Sequence, residues 1–197
     1  VIADQVIFKN GVTVFENKDS AVQDFLLAVY QYFDINYPKF YKMDHLSKLG
    51  WLAAEILLKG EGVQQQYAPE QVGIVLSNAN SSLDTDIRYY QTVADMASPG
   101  LFVYTLPNIM TGEICIRNNF KGENAFFISD HFDTVFMKQY VGTLLGSDVS
   151  ELCICGWVDV YGADYKAALF LIKKGSNEQL VPFTANNMDT IFKSGKI

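Results

Sequence analysis

The densest run of chemically capable residues is Ser129-Asp130-His131-Phe132-Asp133, which carries one of only two histidines in the chain. An imidazole between carboxylates can act as a general base, with Asp130 or Asp133 orienting the ring. A second, structural reading stands beside it. Asp130 and Asp133 favour the positive end of a helix dipole, and His131 fills the corner. One imidazole and two carboxylates could supply three metal ligands, but their spacing matches no metal motif, and no metal is expected. Ser129 precedes the trio, yet no G-x-S-x-G elbow exists to expose a nucleophilic serine, so helix capping is its plainer role. No G-x-G-x-x-G or G-x-x-x-x-G-K run occurs, so no nucleotide and no other cofactor is expected. Lys121-Gly122 reads as a turn entering a strand.

The other reactive side chains are Cys115, Cys153 and Cys155, too few for a disulfide framework. Read as buried free thiols, they place the chain in a reducing, cytoplasmic setting. Cys153 and Cys155 fall on an expected strand and are taken to point to opposite faces. The second histidine, His45, sits at the start of an early helix.

The elements that must position the 129–133 run follow from periodicity and punctuation. Residues 3–8 read as a strand, closed by a turn at Asn10-Gly11. Asp19 and Ser20 start a helix, with Gln23 completing a capping box and a stripe of Val22, Phe25, Leu26, Val29 and Phe33. A second helix spans 44–59 on Leu46, Leu49, Ala53, Ile56 and Leu57, stopped by Gly60 and Gly62. Residues 71–77 form a buried strand, a helix follows over 84–96, and Ser98-Pro99-Gly100 breaks the chain. Asn108 caps a helix over 109–117. A strand over 124–128 leads into the corner, then a helix runs to about Gly146. Strands over 151–158 and 165–172 flank a loop carrying Asp159, Gly162 and Asp164, and a helix covers 185–192. The alternation predicts a largely parallel sheet with helices on both faces and an antiparallel last pair.

Composition narrows the function classes. The 197 residues are read as a single domain, 1–197. With 49% hydrophobic and 19% charged residues the chain is not disordered. Its 14% aromatic content predicts a heavily packed core or an apolar partner surface. A net charge of −7 excludes non-specific nucleic-acid binding and docking on anionic lipid through bulk charge. The apolar runs, such as 50–58 and 167–172, are too short to span a bilayer. No basic stretch precedes an apolar run at the start, so no signal peptide is expected.

Residues 107–124 are the most specific stretch. Pro107, Asn108, Gly112, Ile116, Lys121, Gly122 and Asn124 fall in the register of the segment that leads to the nucleophile in beta-ketoacyl carrier-protein synthases, and the stretch resembles it. Glu123 stands where that family has proline. Lys42-Met43-Asp44, with the Ala53-Ala54-Glu55 helix after it, resembles another family segment. Val72 to Val75, Cys155-Gly156-Trp157 and 167–172 resemble its strands. The resemblance is strongest over 40–175. It implies an α/β fold: a single thiolase-like layer, one half of the synthase, with about five strands in a mixed sheet and helices on both faces.

What the resemblance implies for chemistry lies in its departures. The family's corner reads Thr-Ala-Cys-Ala, with the acyl-accepting cysteine at a helix N-terminus, where amide groups and the dipole lower its pKa. Here His131 stands at that position. Cys115 lies on the preceding helix and the other thiols on a later strand, so none replaces it. The family's second-half histidines have no counterpart. Condensation by this chain alone is therefore not expected. The resemblance implies instead a non-catalytic ketosynthase-like subunit of fatty-acid, polyketide or polyene assembly. Its implied partners are an active ketosynthase or a second copy of itself. Phe126, Phe127, Phe132 and Asn108, with His131, would line an acyl pocket or interface, since the strand over 124–128 lies near the family's dimer interface. The missing half implies an apolar face that a partner covers. An acyl carrier protein is a further implied partner, needing a local basic patch such as Lys121 with Arg117. Two other classes remain: an acyltransferase of ketosynthase type using His131 or completed by another chain, and a stand-alone acyl-binding module.

Overall fold

The computed structural model describes residues 1–18, 20–175 and 180–196. The strands are β1 (Ile2–Ala3), β2 (Val6–Lys9), β3 (Val12–Glu16), β4 (Val72–Asn78), β5 (Asn124–Ile128), β6 (Leu152–Tyr161) and β7 (Asp164–Lys173). The helices are α1 (Val22–Tyr32), α2 (His45–Leu58), α3 (Val63–Gln66), α4 (Leu83–Val93), α5 (Pro99–Phe102), α6 (Asn108–Asn118), α7 (Thr134–Gly146) and α8 (Ala185–Ser194), with short 3₁₀ turns at Pro38–Lys42 and Pro69–Gln71. The strands form one seven-stranded sheet in the order β3-β2-β1-β7-β6-β4-β5.

The sheet is wider than the five strands expected, because the N-terminal segment supplies three. Asp4 and Gln5 both have positive φ (50° and 61°) and split the expected strand over 3–8 into β1 and β2. The foreseen turn at Asn10-Gly11, also with two positive φ angles, returns the chain as β3, which was not foreseen. Parallel pairing is confined to β4 with β5 and β4 with β6. The other neighbours, including β6 and β7, are antiparallel, so the sheet is mixed rather than largely parallel. Between β6 and β7 only Gly162 and Ala163 are left, and Asp159 and Asp164 belong to the strands.

Helices cover both faces. One core gathers Val72, Ile74 and Leu76 of β4, Leu152 and Ile154 of β6, and buried residues of α1, α2 and α6. The other gathers Val75, Cys153, Cys155, Trp157, Ala168 and Phe170 with Met137 and Val141 of α7 and Met188 of α8. Strand side chains alternate with period two, so Cys153 and Cys155 share a face. They do not point oppositely. Both are free and buried, and burial pushes the Cys153 thiol up to about 12. Gly156, the residue after Cys155, has φ 148°, and a Cβ there would collide with the Ala168 carbonyl.

Caps differ in detail from expectation. Asp44 caps α2, accepting the Ser47 amide at 2.9 Å. α1 starts at Ala21 without a side-chain cap, so the capping box of Ser20 and Gln23 does not form, and Asp19 lies outside the described residues. Asn108 is the first residue of α6 rather than its cap, which is Pro107. α8 covers one face of the sheet. Its Met188, Ile191 and Phe192 pack onto Phe132, Trp157 and Phe170. Among the described residues no helix is long and apolar enough to cross a membrane.

Candidate functional site

The 129–133 run is the strand-to-helix corner that the sequence predicts, between β5 and α7. The Ser129 amide donates to the Asn78 carbonyl at 2.9 Å, tying the corner to the end of β4. Ser129 does not cap the helix. Its hydroxyl donates to the His131 carbonyl at 2.8 Å, while Asp133 is the cap and accepts the Phe136 amide at 2.8 Å. Both residue types make good caps, and Asp133 is the one adjacent to the first helical turn.

His131 Nδ1 lies 2.7 Å from Asp130 Oδ1, so the adjacent pair does meet. It meets in solvent: the side chains are 72% and 92% exposed. This geometry is poor for acyl transfer. An oxyanion needs free amides at the helix N-terminus in a water-excluded site. Here Asp133 already occupies an amide, and Asp130 adds a second carboxylate beside it. Developing negative charge would face like charge. Among the described residues no group of three His, Cys, Asp or Glu side chains is placed to hold a metal.

The expected pocket residues do not converge. Phe126 packs into the α2 and α6 side and Phe127 into the α7 side, as successive strand residues must. Phe127 meets the rings of Phe136 and Tyr140 at 4.9 and 5.0 Å. Phe132 is core, 5.1 Å from the ring of Phe192 on α8. Asn108 is exposed at the start of α6. Nor do Lys121 and Arg117 make a patch. Arg117 is paired with Glu55 at 3.2 Å and stacked over Tyr37 and Trp51, whereas Lys121 is exposed and held through its backbone to Pro69. A cavity of about 770 Å³ lies elsewhere, lined by Phe33, Glu55, Gln64, Arg117, Asn118 and Phe120 among others.

The surface that stands out was not singled out from the sequence. α4 buries only Thr85. Its Leu83, Ile87, Tyr90 and Val93 face solvent, and Phe102, Val103 and Leu106 continue the exposed apolar surface beside it. Tyr90 is 78% and Phe102 60% exposed. Tyr89 and Phe102 join the two segments at 5.5 Å between rings, and Ser82 Oγ donates to the Thr105 carbonyl at 2.7 Å. The spacing of Leu83, Ile87 and Tyr90 is legible as a helical stripe; which way the stripe faces is not.

Comparison with solved structures places this architecture. It superposes on the ishigamide ketosynthase/chain length factor with a TM-score of 0.58 at 20% identity, over 67% of this chain and 44% of that one. The fold is ketosynthase-like. A type II polyketide synthase acyl-carrier protein in complex with its hexaketide-bound ketosynthase gives 0.52 at 19% identity, over 72% and 47%. A ketosynthase in complex with its chain length factor from Xenorhabdus doucetiae gives 0.54 at 11% identity, over 89% of this chain and 81% of that one. The chain thus spans less than half the length of the first two and most of the length of the third. No family model matches the chain, and no curated protein matches it by sequence.

Proposed function

We propose that the chain is a non-catalytic, ketosynthase-like subunit that pairs with an active synthase in fatty-acid, polyketide or polyene assembly. The observation that carries this reading is the apolar surface of α4 and the segment after it. A helix that buries a threonine and exposes leucine, isoleucine and tyrosine is unfavourable in a monomer, and large exposed apolar patches mark protein interfaces. β5 adds to it. As the last strand of the sheet it has one open edge, with Ile128 and Val135 exposed beside it. The structural neighbours support the same reading, since one of them is named as a ketosynthase in complex with its acyl-carrier protein and the other two as a ketosynthase with a chain length factor. One of them is a chain of comparable length in such a complex. The self-capped, solvent-exposed corner argues for a silent site, and the buried free thiols suit a reducing compartment.

The test is to tag the chain, recover it from its native source and identify what copurifies. A ketosynthase in fixed ratio is the expected result. Recovery as a homo-oligomer alone would replace the heteromer by self-pairing. Condensation or acyl transfer by the purified chain would remove the non-catalytic assignment and favour an enzyme working through His131.

A further inference from the structure

The cavity of about 770 Å³ gathers the C-terminal ends of α1, α2 and α6, at Phe33, Lys59 and Asn118. α3 adds Val63 and Gln64 to its wall. The volume falls in the range of roughly 300–1,000 Å³ typical of small-molecule sites. Ile35, Ile56 and Phe120 give the wall apolar area, and Asn36, Gln64 and Asn118 give it amides.

The charges on this wall cancel. It carries two acids, Asp34 and Glu55, and two bases, Lys59 and Arg117. Glu55 Oε2 accepts the Arg117 Nε–H at 3.2 Å, and Lys59 Nζ lies 5.3 Å from the centre of the Phe33 ring. Helix C-termini carry partial negative charge, which disfavours an anion. Donors already meet two of these ends. The Lys59 carbonyl accepts Lys9 Nζ at 2.8 Å, and the Asn118 carbonyl accepts Gln64 Nε2 at 3.3 Å. Neither an anion nor a cation finds an uncompensated opposite charge here.

Hydrogen-bonding capacity, in contrast, is left over. Among the described residues, Arg117 gives only its Nε–H and keeps its terminal N–H groups, and Glu55 uses only one carboxylate oxygen. Gln64 donates from its amide nitrogen and leaves its carbonyl oxygen open. The Arg117 guanidinium lies over the rings of Tyr37 and Trp51, at 5.2 and 5.7 Å. Packing therefore holds these donors in place before a ligand arrives.

We propose that this cavity binds a neutral polyhydroxyl ligand, a monosaccharide or short oligosaccharide. Neighbouring sugar hydroxyls each donate and accept, which suits a wall where an arginine donor stands beside a carboxylate acceptor. The C–H faces of a sugar ring suit the apolar part of the same wall. A phosphate or an amine would need a net charge that the wall does not carry. The site shares no residue with the 129–133 corner or the exposed α4 surface, and it does not rest on the pairing reading.

The test is a titration of the isotope-labelled full chain with glucose, galactose, mannose and maltose, read on the backbone amide resonances of Gly60, Gln64 and Asn118. Saturable shifts at these amides with at least one sugar are the expected result. No saturable shift with any of them, or shifts confined to other residues, would overturn the site. Glucose 6-phosphate and glucosamine are the charged controls, and both should bind no more tightly than the neutral sugars. Tighter binding of either would overturn the neutral assignment. Gln64→Ala removes an open acceptor from an exposed residue. It should weaken sugar binding roughly threefold to tenfold, as loss of a neutral hydrogen bond does, and leave thermal unfolding unchanged. Unchanged binding would place the sugar outside the cavity. Glu55→Gln keeps the size and an acceptor but unbalances Arg117. Glucose 6-phosphate should then gain on the neutral sugar by roughly threefold or more. No gain would mean that charge balance does not select the ligand, and the neutral assignment would fall.

Discussion

α8 lays Met188, Ile191 and Phe192 onto one face of the sheet, whereas α4 turns Leu83, Ile87 and Tyr90 away from it. Both helices are amphipathic in sequence, yet only α8 spends its apolar stripe inside the chain. The outward side of α7, beside α8, exposes Lys138, Gln139, Gly142 and Thr143 along most of its length, with Val135 and Phe136 exposed at its first turn. That face is finished. The face made by α4 and the segment after it is not, and its apolar surface has no partner among the described residues. Burial contributes to folding in the first region; in the second, the same kind of side chain is left to contribute to association.

The largest expected effect is on the finished face. Phe132 stacks with Phe170 at 6.2 Å between rings and meets Trp157 and Phe192. Phe132→Ala should cost about 3–5 kcal/mol in urea unfolding, the usual result for a buried ring left as a cavity. A cost under about 1 kcal/mol would mean that α8 does not dock there in solution. Next comes the rim of the same face. Asp133→Ala removes the cap of α7 and should cost about 1 kcal/mol, while Ser129→Ala should cost less because its hydroxyl bonds only within the corner and its amide bond to Asn78 is kept. The reverse order would restore Ser129 as the cap.

The open face predicts the opposite split between stability and association. Tyr90→Ser with Phe102→Ser should change the stability of the isolated chain by no more than about 0.5 kcal/mol, as for exposed positions in general. The same double variant should lose the copurifying partner. Retained capture with unchanged stability would move the interface to another surface, the edge of β5 first.

Much of this contrast was legible before the structure, but not its direction. The stripes of α1 and α2, the strands β4 to β7 and α8 follow from apolar spacing and from Gly and Pro punctuation. The split of β1 from β2 depends instead on positive φ at Asp4 and Gln5, where a non-glycine residue gives no signal, while β3 follows a turn at Asn10-Gly11 that was legible without the strand after it. The helix over 185–192 could be read, but not that it would fold back over Phe132, because that contact spans more than fifty residues of chain. At the corner, Ser129 and Asp133 are both capping types, and only the position of the first helical turn decides between them. Asp44 and Thr85 lie forty-one residues apart, and neither helix read alone shows that the cap of α2 also accepts a hydroxyl of α4.

His131→Ala carries the smallest expected effect and the sharpest question. The ring is largely in water, its Asp130 partner is more exposed still, and exposed ion pairs contribute little to stability. Stability should stay within about 0.5 kcal/mol of the parent, and partner capture should be unchanged, since α4 lies outside the corner. The decisive readout is acyl transfer by the assembled complex, compared between parent and variant. If the corner is silent, the two complexes turn over alike. If turnover falls with His131, the exposed imidazole must be buried by the partner, and the general-base reading of the His131 and Asp130 pair returns.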